Sequence, residues 1–368
     1  MRILLWSELF WPYMGGSQIF AISLIHSLQT RGHEFIVVTR QDDLDLPKEA
    51  RFQGIPVYRF PFYSALVNGN IEQLIKIRQQ VVKLKRTFAP DLVHINGFGL
   101  SILFHMDTLR SHPTPLLVTL HGDRYPQPEG HETLLDQTLR AADWVTGPAA
   151  ATVEYARQLL PDFIPRSSII YNGVEEPPVP PGPLPIETPH LLCLGRLSPE
   201  KGFDLALTAF ASIVDRFPHA RLTIAGDGPE RPALEQQAAE LDLEEVVDFV
   251  GWVVPEKVPS LINAATVVMM PSRREGLPFV ALEAALMARP VVATRVGGLQ
   301  EVVVHQQTGW IIEKEDSGSL AEALSFFLKH PEAAVRMGQA ARQRAQEVFS
   351  LERCVNAYDT LYRKLISD

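Results

Sequence analysis

The chain has 368 residues, 46% hydrophobic and 21% charged, which is ordinary globular composition and enough for two substantial cores. Its 34 Lys and Arg against 43 Asp and Glu leave a net charge of −9, which argues against bulk nucleic-acid binding and leaves room for a local anion site. Two cysteines, Cys193 and Cys354, lack metal-ligand spacing and are expected as core residues in a reducing compartment.

The opening "MRILLWSELF" begins like a secretory signal, but Glu8 and Pro12 cut the apolar stretch short of the roughly 7 to 15 residues such a signal needs. It reads as a first strand. No run reaches the roughly 18 apolar residues of a membrane-spanning helix, so a cytoplasmic protein is expected. After "RILLW" come the loop "SELFWPYMGGS", an apolar-periodic helix from about Ser17 to Thr30, and the strand "EFIVVT". Strand, Gly-containing turn, helix and strand make a βαβ unit of a parallel sheet. Residues 42 to 46, "DDLDL", hold a D-x-D pattern in Asp43 and Asp45, but the stretch is polar and Pro-flanked, so it reads as a solvated acidic loop.

The stretch 71 to 88 is a helix with an apolar stripe at Leu74, Ile77, Val81, Leu84 and Phe88, and Lys76, Arg78, Lys83, Lys85 and Arg86 mostly off it. Two readings apply: a helix packed on the N-terminal sheet with a solvated basic face, or a basic amphipathic helix lying on an anionic membrane. The first is preferred. Two more strands, "DLVHIN" and "PLLVTLH", end in His94, Asn96 and His121, with Gly122 and Asp123 after the last. A His at a strand's carboxyl end faces the ligand side of an α/β sheet. His121 ranks above His94 because Gly122 opens the backbone beside it.

Residues 175 to 189, "EEPPVPPGPLPIETP", carry too many prolines for a ladder or a helix interior and read as an extended, semi-rigid linker. The βαβ grammar then recurs from residue 190: "HLLCLG", "RLSPEKG", a helix "FDLALTAFASIVDRF" and "ARLTIAG", followed by the strands "VVDFVG", "TVVMMP" and "PVVAT". The expected division is 1–174 for one Rossmann-like domain, 175–189 for the linker and 190–349 for the second. The last segment, 350–368, has a helical pattern that fits either domain. Two doubly wound domains of this kind are expected to face each other across a cleft lined by strand ends.

Four clusters carry chemistry. In "SRREGLPFVALEAALMARP" the strand before ends near Pro271, so Glu275 lies on a strand-end loop and Pro278 is expected as the first residue of a helix. That helix is apolar on every face except Glu283. A buried carboxylate needs partners or takes up a proton, and a pair of ribose hydroxyls supplies two hydrogen bonds to one carboxylate. The free N–H groups around Gly276, Leu277, Phe279 and Val280 offer an anion or sugar-hydroxyl site. An edge glutamate and a plain loop charge are the alternative. In "LGRLSPEKG", Arg196 follows a strand and Lys201 stands at a helix start, where a cation opposes the helix dipole unless an anion sits between. A solvated surface turn is the alternative there.

Gly15 and Gly16 stand before the first helix, where paired glycines admit a ligand close to the backbone or simply turn the chain. "GDGPER", from Gly226 and Asp227, only approaches a G-x-G-x-x-G fingerprint, with Arg231 at the third glycine position, which argues against a nicotinamide dehydrogenase.

With Gly-Gly after the first strand, strand-end His121, "GRLSPEKG", "AGDGP" and "EGLPFVALEA" in order, the chain resembles the retaining glycosyltransferases of family 4 over nearly its whole length. Glu275 and Glu283 meet that family's E-x(7)-E pair. The resemblance implies an α/β GT-B enzyme with a nucleotide-diphosphate sugar held mainly by the second domain. By the same resemblance Arg196 and Lys201 grip the diphosphate, Glu275 meets hydroxyls of the transferred sugar and Glu283 meets the ribose. It further implies that Gly226, Asp227 and the backbone at Trp252 and Val253 line the nucleotide. Gly15 and Gly16 approach the phosphates, His121 meets the donor sugar, and residues from about 350 cross back to the N-terminal domain. No metal or other cofactor is expected.

The expected reaction moves a hexose-type sugar, with retention, to an acceptor hydroxyl of a glycan, a lipid-linked molecule or a small molecule. The alternatives are a nucleotide-sugar epimerase of the same fold and a non-catalytic sugar-nucleotide-binding protein. Some relatives take lipid-linked acceptors, which adds the inner face of a membrane, reached through 71–88, as a second address. Residue types leave the sugar, the base, the acceptor and the oligomeric state open.

Overall fold

A computed structural model describes residues 1–13, 15–41, 46–122, 132–160 and 165–367. Asp43, Asp45 and Asp123 lie outside the described residues. The chain forms two compact units, one of Met1–Gly173 with Leu351–Asp368, the other of Val174–Ser350.

The first unit carries strands β1 (Arg2–Ser7), β2 (Glu34–Arg40), β3 (Glu49–Phe52), β4 (Ile55–Phe60), β5 (Leu92–Asn96), β6 (Leu116–Thr119), β7 (Trp144–Gly147) and β8 (Ser167–Ile169). They form one sheet in the order β3-β4-β2-β1-β5-β6-β7-β8, parallel throughout except for the β3–β4 hairpin. β1 and β5 are buried on both faces over almost their full length, as central parallel strands require.

The first helix runs Gly16–Gln29, one residue earlier than its sequence pattern suggests, with Gly15 as its extended N-cap. The helix Ile71–Phe88 sets Ile77 and Val81 into the sheet's core and packs Leu74, Leu84 and Phe88 beside them. The apolar stripe is therefore used inside the unit. Lys85 departs from its expected place on the basic face. Positions 77, 81 and 85 share one face at a four-residue step, so Lys85 is buried, and its Nζ donates to His105 O at 3.3 Å and Thr108 Oγ1 at 2.9 Å.

The last helix, Leu351–Ser367, belongs to this first unit and buries Leu351, Cys354, Val355, Tyr358, Leu361, Tyr362 and Leu365. It is tied to the sheet by a polar network. His94 Nδ1 lies 2.7 Å from Tyr362 Oη and its Nε2 2.7 Å from Thr119 Oγ1, which in turn meets Thr146 Oγ1 at 2.6 Å and Tyr358 Oη at 3.2 Å. Both ring nitrogens of His94 are thus used, and it is a structural residue.

The second unit holds β9 (His190–Leu194), β10 (Arg221–Ala225), β11 (Val247–Gly251), β12 (Val267–Met270), β13 (Val291–Thr294) and β14 (Gly309–Ile312). All six are parallel, in the order β11-β10-β9-β12-β13-β14. Helices Phe203–Ala211 and Ser317–Lys329 cover one face and share its core with β9, β10 and β12.

The Pro-rich run is held along this unit. Gly182 N donates to Asn263 Oδ1 at 2.8 Å, Thr266 Oγ1 to Pro185 O at 3.0 Å, and buried Arg289 to Gly182 O at 3.0 Å. Leu184 enters the core. An extended chain without its own ladder keeps its carbonyls free, and here side-chain donors satisfy them.

Among the described residues no helix is long and apolar enough to cross a membrane.

Candidate active site

In the second unit the strand order turns back between β9 and β12. Loops leaving adjacent strands in opposite directions open a crevice at that point, the usual ligand position in an open α/β sheet. The loop after β9 carries Arg196 and Lys201, and the loop after β12 carries Glu275.

Each loop has a local cause. After Gly195 the chain makes a tight turn Pro199–Lys201, opened by Ser198 in extended conformation and closed by left-handed Gly202, which also caps the helix Phe203–Ala211. Gly202 has φ 65°, and a Cβ there would stand 2.1 Å from Pro271 O. Only glycine lets the turn carrying Lys201 lie against the end of β12.

On the β12 side, Pro278 is the N-cap of the helix Phe279–Leu286 and not its first residue, because its ψ of 127° is still extended. No side chain caps that helix, so its first N–H groups face the loop.

These loops meet through Lys201 Nζ, which donates to Glu275 Oε1 at 2.6 Å. Ser272 Oγ donates to the same oxygen at 2.8 Å, while Oε2 has no partner among the described residues. Glu275 is 9% exposed, so its free oxygen is poorly hydrated and open to a ligand hydroxyl. Arg196 is exposed, and its side chain makes no hydrogen bond or ion pair among the described residues. Arg196 and Lys201 thus put two cations on the one loop after β9.

Glu283 is the one charged side chain of its helix. It has no hydrogen-bond partner among the described residues, and burial pushes its carboxyl up to about 7. At neutral pH it is poised between an acceptor and a donor of hydrogen bonds. Leu277 is buried, and Gly276, Phe279 and Val280 are partly accessible at the helix start.

The neighbouring strand ends complete this edge. Gly195 N donates to Ala225 O and Gly226 N to Gly251 O, which sets the loops after β9, β10 and β11 side by side. Asp227 is exposed, its Oδ1 accepting from Gly228 N at 2.8 Å. Val253 is half-buried beyond β11, and Trp252 is 62% exposed, a large apolar surface left without a cover.

The structure adds a loop that residue types did not single out. After β13, Gly298 N donates to Gly276 O at 2.6 Å, and at Gly297, φ 47°, a Cβ would stand 1.8 Å from Glu275 O. The Gly-Gly pair in "RVGGLQ" therefore seats the Glu275 loop. The signal was present, a double glycine two residues beyond the strand "VVAT".

The first unit has its own switch point, between β1 and β5. Gly15 and Gly16 start the helix that follows β1, and His121 follows β6. His121 Nε2 lies 2.8 Å from Asn96 Oδ1, and burial holds the imidazole down at about 4. With Oδ1 as acceptor, Nε2 carries the proton and Nδ1 is left as an acceptor. Phe20 packs against this ring at a steep angle. Sequence reading passed over Asn96 as a strand-end neighbour, yet it orients His121. Among the described residues no three His, Cys, Asp or Glu side chains converge as a metal ion needs.

Two family models match the chain, glycosyl transferases group 1 over residues 181–344 and glycosyltransferase family 4 over residues 14–176. The D-inositol 3-phosphate glycosyltransferase of Corynebacterium urealyticum is 35% identical over 189 residues, which is 50% of this chain and 44% of that protein. The glycogen synthase of Mycobacterium tuberculosis is 27% identical over 406 residues, covering 98% of this chain and 94% of its own. Among solved structures, a sucrose-phosphate synthase from Thermosynechococcus elongatus superposes with a TM-score of 0.83 at 24% identity, covering 100% of this chain and 99% of that one. The fold is thus the GT-B class, with its two Rossmann-like units.

Proposed function

The chain belongs to the family 4 glycosyltransferases, and from that premise we propose that it moves a hexose-type sugar, with retention, from a nucleoside-diphosphate sugar to an acceptor hydroxyl. One observation carries the reading: Lys201 Nζ and Glu275 Oε1 stand 2.6 Å apart at the switch point, with Arg196 exposed on the loop that carries Lys201. Departure of the nucleotide leaves negative charge on a phosphate. Arg196 and Lys201 meet that charge from fixed positions, and the uncapped helix start at Phe279 adds oriented N–H groups without reorganisation. Glu275 offers Oε2 to a sugar hydroxyl, and Glu283 accepts from the ribose.

In the first unit, His121 and the helix start at Gly16 serve the donor's sugar and phosphate. The reading needs no metal or other cofactor. A peripheral membrane contact belongs to the same proposal. Val67, Ile71 and Ile75 are exposed, and Lys76, Arg78, Lys83 and Arg86 are exposed along the same helix from Ile71 on, a combination suited to an anionic lipid surface.

The test is binding and turnover on the intact chain. Thermal shift and calorimetry with UDP, GDP and ADP and their sugars are expected to single out one nucleotide, with nucleotide release speeding up when an acceptor is supplied. Release at the same rate with and without acceptor favours the epimerase. Absence of binding to every nucleotide overturns the reading. Liposomes rich in anionic lipid that leave the chain in the supernatant remove the membrane contact.

A further inference from the structure

We propose that Arg273 is a positioning residue for the reaction, which sets the Lys201 amine in place by fastening the turn that carries it to the loop that carries Glu275. The inference rests on the reading of Lys201 as the cation that meets the leaving phosphate.

Every N–H of the Arg273 guanidinium is engaged. Nη1 donates to Pro199 O at 2.7 Å and Asp204 Oδ1 at 2.8 Å, Nη2 to Asp204 Oδ2 at 2.7 Å and Glu315 Oε2 at 3.1 Å, and Nε to Glu315 Oε1 at 2.6 Å. Its backbone N donates to Glu200 O at 2.8 Å. The partners at 199, 200 and 204 bracket Lys201 on both sides. Glu315, in the left-handed region at φ 61° beyond β14, braces the guanidinium from outside.

These carboxylates are nearly half-exposed, 43% for Asp204 and 50% for Glu315, so the ion pairs themselves add little to folding. What they add is direction. Two bidentate carboxylates and one carbonyl fix a planar fork in a single orientation, which a lysine's point charge cannot reproduce. The loop after β12 thereby places two side chains in concert: Glu275 meets the Lys201 amine, and Arg273 holds the backbone from which that amine extends. Hydrogen bonds from Arg273 also hold the Asp204 carboxyl below its ordinary range, so the brace stays charged at neutral pH.

The experiment has two arms on the full chain. In the first, lysines are labelled with trace acetic anhydride and read peptide by peptide by mass spectrometry. Arg273→Ala and Asp204→Asn are expected to raise labelling of Lys201 several-fold, with Arg273→Lys no better than Arg273→Ala and other lysines unchanged. Unchanged Lys201 labelling overturns the inference, whether or not a donor has been found.

In the second arm, turnover is measured for Arg273→Ala in the wild-type and Lys201→Ala backgrounds. The expected loss is tenfold or more in the first and under twofold in the second, since a positioner of an absent amine has nothing to position. Equal losses in both backgrounds overturn it. If Arg273→Ala does not fold, Asp204→Asn replaces it in the cycle with the same two outcomes. Failure of the wild type to bind any nucleotide sinks the functional reading alone and leaves the labelling arm to decide.

Discussion

Lys201 Nζ stands 2.6 Å from Glu275 Oε1 across the point where the second sheet reverses its strand order, so the leading cation and the leading carboxylate of the site hold each other in the free protein. Each is partly masked by its neighbour; under the proposed function a ligand divides them, with phosphate on the lysine and a sugar hydroxyl on Oε2.

Lys201→Ala is expected to lower turnover at saturating donor by about 10²- to 10³-fold, the usual loss for one fixed electrostatic contact to a developing charge. Folding survives, because Ser272 Oγ still satisfies Glu275 at 2.8 Å. Steady-state kinetics and circular dichroism check both halves. Turnover within twofold of wild type rules out the phosphate role.

Glu283 gives a pH signature. Burial raises its folded pKa from 4.5 to about 7, so between these values the native state binds more protons than the unfolded one. Stability contributed by the protonated form is present below pH 4.5 and is lost as pH rises toward 7, on the order of 1 to 3 kcal/mol. Glu283→Gln removes that slope and stabilises the chain at pH 7.5, while weakening nucleotide binding. Melting curves from pH 5 to 8, with calorimetry against the nucleotide, read both effects. A variant with wild-type slope and wild-type affinity contradicts the assignment.

Much of this site was legible because glycines and prolines punctuate strand ends. "EGLP" placed Glu275 on a loop, and "PEKG" placed Lys201 before a helix. Strand-by-strand reading succeeded for the buried central strands β1, β5 and β12, but it missed the short strands β7, β8 and β14, whose three or four residues are too few to show a run. It also passed over the β3–β4 hairpin at the sheet edge, whose sequences EARF and IPVYRF mix charge and proline into short strands that turn through Gln53 and Gly54 at positive φ.

Pairings between distant residues were out of reach. Nothing local marks Arg273 as the partner of Asp204 and Glu315, or Asn96 as the orienter of His121, since each depends on which strands become neighbours. Lys85 shows the same limit. Its charge argued for solvent, and packing at a four-residue step from Val81 overrode that.

Acid should loosen the first unit before the second. His94 and His121 are held down by burial at about 3 and about 4, and His105 is also lowered by burial. Each binds its proton in the unfolded chain from 6.5 downward but not in the folded one, so stability falls as pH drops below 6.5, by about 2 kcal/mol at pH 5 for His94. In the second unit Glu283 works in the opposite direction over this range. Hydrogen exchange at pH 7 and pH 5 is expected to show faster opening at β5 and β6 and none at β9 and β12. Acceleration confined to the second unit contradicts the assignment.

Arg289 decides whether the proline-rich run is fastened or merely adjacent. The side chain is 1% exposed and pairs with no carboxylate among the described residues. It donates to the carbonyls of Met287 at 2.8 Å, Gly182 at 3.0 Å and Pro183 at 3.4 Å, to Asn263 Oδ1 at 2.9 Å, and to Asn263 O. Burial lowers its pKa to about 10, so it remains charged at neutral pH and is balanced by dipoles alone.

Arg289→Met removes a costly buried charge but strips those carbonyls of their donor, at about 1 to 3 kcal/mol for each left dry. The run relieves this by lifting into water, since its prolines already favour an extended, solvated chain. Amide exchange at Gly182, Leu184 and Ile186 is expected to quicken at least tenfold, with β12 and β13 unchanged. Exchange at the wild-type rate would show that Asn263 and the burial of Leu184 suffice to hold the segment.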